Sequence, residues 1–258
     1  MRRAFAVLAA CVALGALAQE RPIAPAALQS GHVFAGADVR AMQDDDMANP
    51  GMLWVTRGGD LWNAPAGSSG KSCASCHGEA PVSMRGVATR YPALDASTST
   101  LVDLEGRIAS CRSRNQNATP LPRESDDLLA LATFVAYQSR GMPGNVTIDN
   151  GNRAAFERGR AFYEQRHGQM NLACTQCHDQ SWGKRLWNET ISQGHGNAFP
   201  AYRLEWQGLG SLSRRIRACL FGVRAHMPAA GAPELVDVEL YLAWRANGLP
   251  LEAPGVRR

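Results

Sequence analysis

"CASCH" at Cys73–His77 and "CTQCH" at Cys174–His178 are two copies of one pattern, and their reading decides the fold. In a C-x-x-C-H segment two thiols lie one helical turn apart, with an imidazole directly after the second. In an exported chain this spacing marks covalent attachment of c-type haem, the thiols bonding the haem edge and the histidine ligating iron from the proximal side. A zinc knuckle, a redox dithiol or a disulfide would use the same cysteines. Two copies, each with its histidine in place, argue for two haems, attached at Cys73, Cys76, Cys174 and Cys177, with His77 and His178 as proximal ligands.

Outward from these motifs the chain repeats itself. "GDLWN" from Gly59 precedes the first motif and "GRAFYE" from Gly159 the second. "RIASC" ending at Cys111 follows the first and "RIRAC" ending at Cys219 the second. Each half closes with an apolar periodic segment. "SDDLLALATFVAYQSRG" is capped by Ser125 and ended by Gly141; "ELVDVELYLAWRANG" sets Leu235, Val238 and Leu242 on one face and ends at Gly248. The expected fold is mainly α: two cytochrome c-like domains related by internal duplication, one over 19–145 and one over 146–258. The link between them is the glycine- and asparagine-rich stretch Gly141–Asn152. Gly59 and Gly159 are expected where the early helix of each half meets its closing helix, with Tyr137 in the first half and Tyr241 and Trp244 in the second as packing partners. Strand signals are weak throughout.

The first eighteen residues, "MRRAFAVLAACVALGALA", read as a secretory signal: two arginines, a short apolar run and a small-residue site before Gln19. "LAAC" ending at Cys11 resembles a lipoprotein box but leaves little apolar core ahead of it. Nothing else in the sequence is apolar for long enough to span a bilayer, so the expected location is the periplasm. The net charge of +4 falls to about +2 without Arg2 and Arg3, and its bases are not massed into a tract, so nucleic-acid binding is not expected.

Six cysteines remain after Cys11, and two of them, Cys111 and Cys219, stand alone in equivalent places. Met142-Pro143 and Met227-Pro228 offer the methionine of an ordinary electron carrier, but they do not correspond between the halves. If both halves ligate iron alike, Cys111 and Cys219 are the distal ligands; a Cys111–Cys219 disulfide is the alternative, and needs the two Cα atoms within about 7 Å. Around Cys219 lie Arg203, Arg214, Arg215, Arg217 and Arg224 against the single acid Glu205. Cations lower a thiol's pKa and draw in small anions, and on a helix Arg215 shares a face with Cys219. Arg215 is therefore expected to serve the thiol, with Arg203 and Arg224 as further anion contacts. Arg214 and Arg217 read as solvated. His195 and His226 lie in the right segment to move protons but read more readily as structural or surface residues.

These segments carry a resemblance. "LWNAPAGSSGKSCASCHG", "NLACTQCHDQSWGKRL", "SQGHGNAFPAYRLEWQGLGSLSRRIRAC" and "VELYLAWRANGL" resemble the dihaem form of the SoxA family, c-type cytochrome subunits of the periplasmic sulfur-oxidising system. The resemblance implies a haem-dependent L-cysteine S-thiosulfotransferase. It implies pairing with a smaller cytochrome, SoxX, and attachment of thiosulfate to a cysteine of the carrier SoxYZ, with electrons leaving to an external acceptor such as a small cytochrome c. By position it makes Cys219 the active-site ligand, held in the family as a persulfide, Arg215 its arginine, His178 the proximal ligand of the catalytic haem, and His77 and Cys111 the ligands of the other. "CLFGVRA" after Cys219 is less polar than the family leads one to expect. A thiosulfate dehydrogenase making tetrathionate and a plain dihaem electron carrier are the alternative readings.

Overall fold

The computed structural model describes residues 21–258; the expected signal segment and Cys11 lie outside them. The chain is mostly helical. Helix α1 (Ala37–Asp44) leads to α2 (Met52–Asn63), the one-turn α3 (Cys73–His77) and α4 (Ala80–Ser83). A hairpin of β1 (Ala93–Asp95) and β2 (Thr100–Val102) follows, then α5 (Leu104–Gln116) and α6 (Asp126–Tyr137). The second half has the same order: α7 (Arg153–Glu164), the one-turn α8 (Cys174–His178), and a short hairpin of β3 (Arg185–Leu186) with β4 (Glu189–Thr190). Then come β5 (Ala201–Arg203), β6 (Gly208–Gly210), α9 (Leu212–Gly222), α10 (Pro233–Arg245) and β7 (Gly255–Arg257). Strand β5 pairs antiparallel with β6 and parallel with β7.

The helix boundaries follow capping chemistry. Asp103, Ser125 and Ser211 each accept a backbone N–H from the first turn of α5, α6 and α9, satisfying donors that have no intrahelical partner. Helix α10 was expected to bury one face, yet Leu235–Leu242 is buried on every side. One side packs on α7, through Phe156 and Tyr163 against Tyr241. Glu239, on another side, joins Glu105 in lining a cavity of about 140 Å³ between the halves.

The packing corrects two expectations. The close approach in the first half is made by Gly58, not Gly59: a Cβ on Gly58 would lie 2.2 Å from the Ala130 carbonyl oxygen, whereas one on Gly59 would only brush the Phe134 ring at 3.3 Å. Gly159 makes the matching contact, 2.0 Å from the Asp237 carbonyl oxygen. Gly58 and Gly159 are 101 positions apart, as are Cys73 and Cys174, so counting from Gly59 shifts the register by one. The aromatic partner in the first half is Phe134, 5.9 Å from Trp62, and not Tyr137, whose hydroxyl donates to Asp46 at the surface. Tyr241 and Trp244 do pack on Phe156 as expected. Because backbone blocks the added Cβ, Gly58→Ala and Gly159→Ala each force two helices apart. Denaturant titration of the haem-loaded protein should show a loss of about 1–3 kcal/mol for each, and a smaller one for Gly59→Ala, where only a ring edge must give way.

The link Gly141–Asn152 is tied down. Gly141 and Gly144 donate backbone N–H groups to Leu251 and Leu249, beyond α10. The segment before α2 packs on the C-terminal half: Gln29 donates to Gln193, Asn49 to the Pro254 carbonyl, and Arg21 lies over the Trp244 ring at 5.2 Å.

Between the halves, burial pushes the Glu105 carboxyl up to about 8, with Asp103 and Glu124 adding to the rise and Arg123 opposing it. Burial raises Glu239 beside it well above the ordinary carboxylate range. A carboxyl that protonates more readily folded than unfolded adds stability at low pH, lost as pH rises from its ordinary 4.5 through its folded value near 8. Stability should therefore fall across that window by about 1.4 kcal/mol per pH unit on account of Glu105, and the raised Glu239 acts in the same direction. Glu105→Gln should make the fall shallower, as read from unfolding at pH 5, 6, 7 and 8.

Candidate haem and thiol site

Helix α8 presents Cys174, Cys177 and His178 on one turn, and α9 brings Cys219 to the same place. The Cys219 thiol is within hydrogen-bonding reach of the His178 ring, and its charge is felt by both Cys174 and Cys177. The first half repeats this with α3 and α5. Cys111 lies close enough to Cys73 for its charge to be felt there, and accepts a hydrogen bond from Asn115 Nδ2 at 3.5 Å. All six described cysteines are free thiols, so Cys111 and Cys219 are not joined to each other. Each stands beside its own C-x-x-C-H turn, in the equivalent place.

The surroundings of His178 fit a ring that ligates metal. Its Nδ1–H donates to the Ser192 carbonyl at 2.8 Å, which fixes the tautomer and leaves the Nε2 lone pair free. Gly194, at φ 74°, passes behind the ring; a Cβ there would lie 2.8 Å from the His178 Cγ. The next residue, Asp179, accepts from the Tyr163 hydroxyl at 3.1 Å and pairs with Arg245. Arg245 is buried, lies over the Tyr163 ring at 4.5 Å and donates to the Gln193 carbonyl at 3.3 Å. This network clamps α8, α7, α10 and the Ser192–Gly194 backbone together. With two thiols, an oriented imidazole and a facing thiolate donor, the residues fit a covalently held c-type haem. In the first half Trp62 lies beside His77, ring centroids 5.7 Å apart, and its Nε1–H donates to the Gly78 carbonyl at 3.1 Å.

Cys219 is under opposing influences. Desolvation pushes the thiol up, while the charge of Arg215, then the hydrogen bond and charge of a protonated His178 ring, and the charge of Arg203 bring it down to about 7; a His178 that offers its Nε2 lone pair to iron withdraws its share and leaves the two arginines. Arg215, one turn ahead on α9, has no salt bridge among the described residues. Arg203 is buried, with its guanidinium 5.0 Å from the Trp206 ring; Nη2 donates to Glu205 at 3.1 Å and Nε has no partner. Arg224 is exposed at the end of α9, with φ 55°. Arg214 was expected to be solvated but stacks on Trp206 at 4.2 Å, and Arg217 keeps a buried, unpartnered Nε. His195 is buried and its Nε2–H donates to Gln193 Oε1 at 3.1 Å; burial, then Arg245 and His178, lower it to about 3, so it stays neutral and is a weak base. His226 is exposed. Of the two methionines, Met142 packs its methyl group near Gly86 and Met227 is exposed.

Sequence reasoning missed Ser192, Gly194, Asp179, Arg245 and Tyr163. An aspartate directly after "CTQCH" was the one available signal.

Helices carrying C-x-x-C-H turns, an oriented histidine and a facing cysteine define a c-type cytochrome. A family model described as the SoxA/TsdA cytochrome c domain matches residues 57–143. The chain is 41% identical over 230 residues to the L-cysteine S-thiosulfotransferase subunit SoxA of Pseudaminobacter salicylatoxidans, covering 89% of this chain and 80% of that one. It is 37% identical to the corresponding subunit of Rhodovulum sulfidophilum over the same shares. The crystal structure of SoxXA from P. pantotrophus matches with a TM-score of 0.86 at 35% identity, over 90% of this chain and 87% of that one. The chain belongs to the SoxA family.

Proposed function

We propose that this chain attaches thiosulfate to a cysteine of a carrier protein of the SoxYZ type, with Cys219 handling the sulfur. It would act with a SoxX-type cytochrome partner, in the periplasm, with electrons passing on to a small cytochrome c or similar acceptor. The chain divides near 145/146 into two haem-bearing domains. Cys73, Cys76 and His77 with Cys111 hold one haem; Cys174, Cys177 and His178 with Cys219 hold the other. Among the described residues no helix is long and apolar enough to cross a membrane.

The observation that carries this reading is the meeting of Cys219, His178 and Arg215 at one place. Arg215, with the buried Arg203 behind it, attracts the dianion and offers forked donors to its sulfonate oxygens; Arg224, exposed past the end of α9, has no described contact that brings it to Cys219. The Cys219 sulfur bonds the outer sulfur of thiosulfate: Cys219–S⁻ + S₂O₃²⁻ gives Cys219–S–S–SO₃⁻ and two electrons. The carrier thiolate then attacks that outer sulfur, giving carrier–S–S–SO₃⁻ and returning Cys219–S⁻. Bound c-type haem supplies one-electron oxidation, so two electrons leave singly. His178 keeps its orientation through Ser192, and Arg245 with Asp179 holds its backbone. His195, neutral and buried, shapes the wall and is not needed as a base.

Carrier dependence tests the reading. The haem-loaded protein with its SoxX-type partner should reduce an added cytochrome with thiosulfate only when a carrier bearing a free cysteine is present, and the carrier should gain the mass of a thiosulfate group. Equal reduction without carrier, with tetrathionate as product, would assign the chain to thiosulfate dehydrogenation instead.

A further inference from the structure

Each half sets a strand hairpin ahead of the helix that bears its lone cysteine, in one shared register. Strands β1 and β5, strands β2 and β6, the starts of α5 and α9, Arg107 and Arg215, and Cys111 and Cys219 all lie 108 positions apart. At the last residue of the first strand the charge is reversed: Asp95 pairs in register with Thr100, Arg203 with Gly208. Both side chains are buried, Asp95 at 2% and Arg203 at 4% exposure.

The reversal changes the arginine one turn ahead of each cysteine. In the first half, Asp95 lies 3.3 Å from Arg107 and 3.1 Å from Arg114, and Arg107 Nε also donates to the Tyr91 hydroxyl at 3.2 Å. The buried carboxylate therefore neutralises Arg107, the counterpart of Arg215; Arg112, next to Cys111, has no salt bridge among the described residues and no counterpart in the second half, where Leu220 stands. In the second half no described carboxylate pairs with Arg215. Arg203 stands where Asp95 would, and its own partner Glu205 is 62% exposed, so that pairing is weakened by solvent. Arg203 Nε is buried without a partner. A bare arginine backed by a second buried cation attracts a small oxyanion; an arginine already paired with a buried carboxylate does not.

We propose that this buried charge is what distinguishes the two copies of the site: Arg203 is a positioning residue that keeps the Cys219 side receptive to thiosulfate, and Asp95 makes the Cys111 side unreceptive. This rests on the reading of Cys219 as the substrate site. Arg203 acts through Arg215 and the local field, not by forming a bond to sulfur.

The test uses the haem-loaded protein with its cytochrome partner. Arg203→Gln should raise both the thiosulfate KM and the thiosulfate concentration that half-modifies Cys219, the latter read by peptide mass, roughly tenfold or more, with kcat little changed. Arg203→Lys should recover most of the loss, which a merely structural role for the planar side chain would not allow. Asp95→Asn, which frees Arg107, should bring a thiosulfate-derived mass onto the Cys111 peptide. Unchanged thiosulfate dependence in Arg203→Gln overturns the proposal; if that variant does not fold, an unmodified Cys111 in Asp95→Asn does so. A parent protein whose Cys219 is never modified overturns instead the reading on which this rests.

Discussion

Replacing Cys219 by serine is expected to abolish carrier loading, with a fall in kcat on the order of 10³-fold or more, as when a nucleophile is removed. The hydroxyl is nearly isosteric with the thiol, so α9 and its contact with His178 should persist. Serine, however, neither ionises near neutral pH nor bonds to sulfur under these conditions. The companion variant Cys111→Ser separates two roles the sequence treats alike. If Cys111 only holds the first haem, it should alter the haem spectrum while carrier loading falls far less. Initial rates with purified carrier, beside visible spectra of both variants, check this.

Arg215→Met should lower kcat/KM for thiosulfate on the order of 10²–10³-fold, the scale seen when one preorganised charged donor is removed from a site. Two effects combine. The substrate loses a forked contact, and the Cys219 thiol loses the largest influence that lowers it, so less thiolate is present near neutral pH. For the free thiol the sign is fixed: Arg215 is the largest influence lowering Cys219, so whenever the sulfur is not bound to iron its titration moves upward in the variant, and the rate profile should shift to higher pH to the extent that turnover passes through the free thiol. Arg215→Lys keeps a charge but not the fork and should recover the pH profile better than KM. A variant with an unshifted profile and full kcat/KM would remove Arg215 from the site.

Much of this was legible before any coordinates. Two C-x-x-C-H turns are readable as proposed haem attachment points because that spacing is local chemistry, and the matching "R-I-x-x-C" segments set Cys111 and Cys219 in equivalent places because their register is written in the chain. The start of α6 was legible in its Ser125 cap, but its end was not: the helix stops at Tyr137, four residues short of Gly141, where the chain runs into turns before the left-handed glycine. The neighbouring glycines Gly58 and Gly59 were not separable by pattern; only the opposing carbonyl of Ala130 decides between them. Tyr137 and Phe134 are both aromatic at helical spacing, and which one faces α2 depends on the rotation of α6. The clamp of Arg245, Asp179 and Tyr163 joins residues far apart in sequence, and no local rule brings them together. The exchange of Asp95 for Arg203 becomes visible only once the two hairpins share a register, because their loops otherwise have little in common.

The central claim is that Cys219 itself carries substrate sulfur. Peptide mass analysis tests it most directly, on the haem-loaded protein isolated without reductant and exposed to thiosulfate. Cleavage after Arg217 and Arg224 releases "ACLFGVR", which holds Cys219 alone. A sulfur or thiosulfate group on that peptide, removed by reductant and absent from the Cys111 peptide, is the predicted result. An unmodified peptide under conditions where the carrier is being loaded would contradict the account.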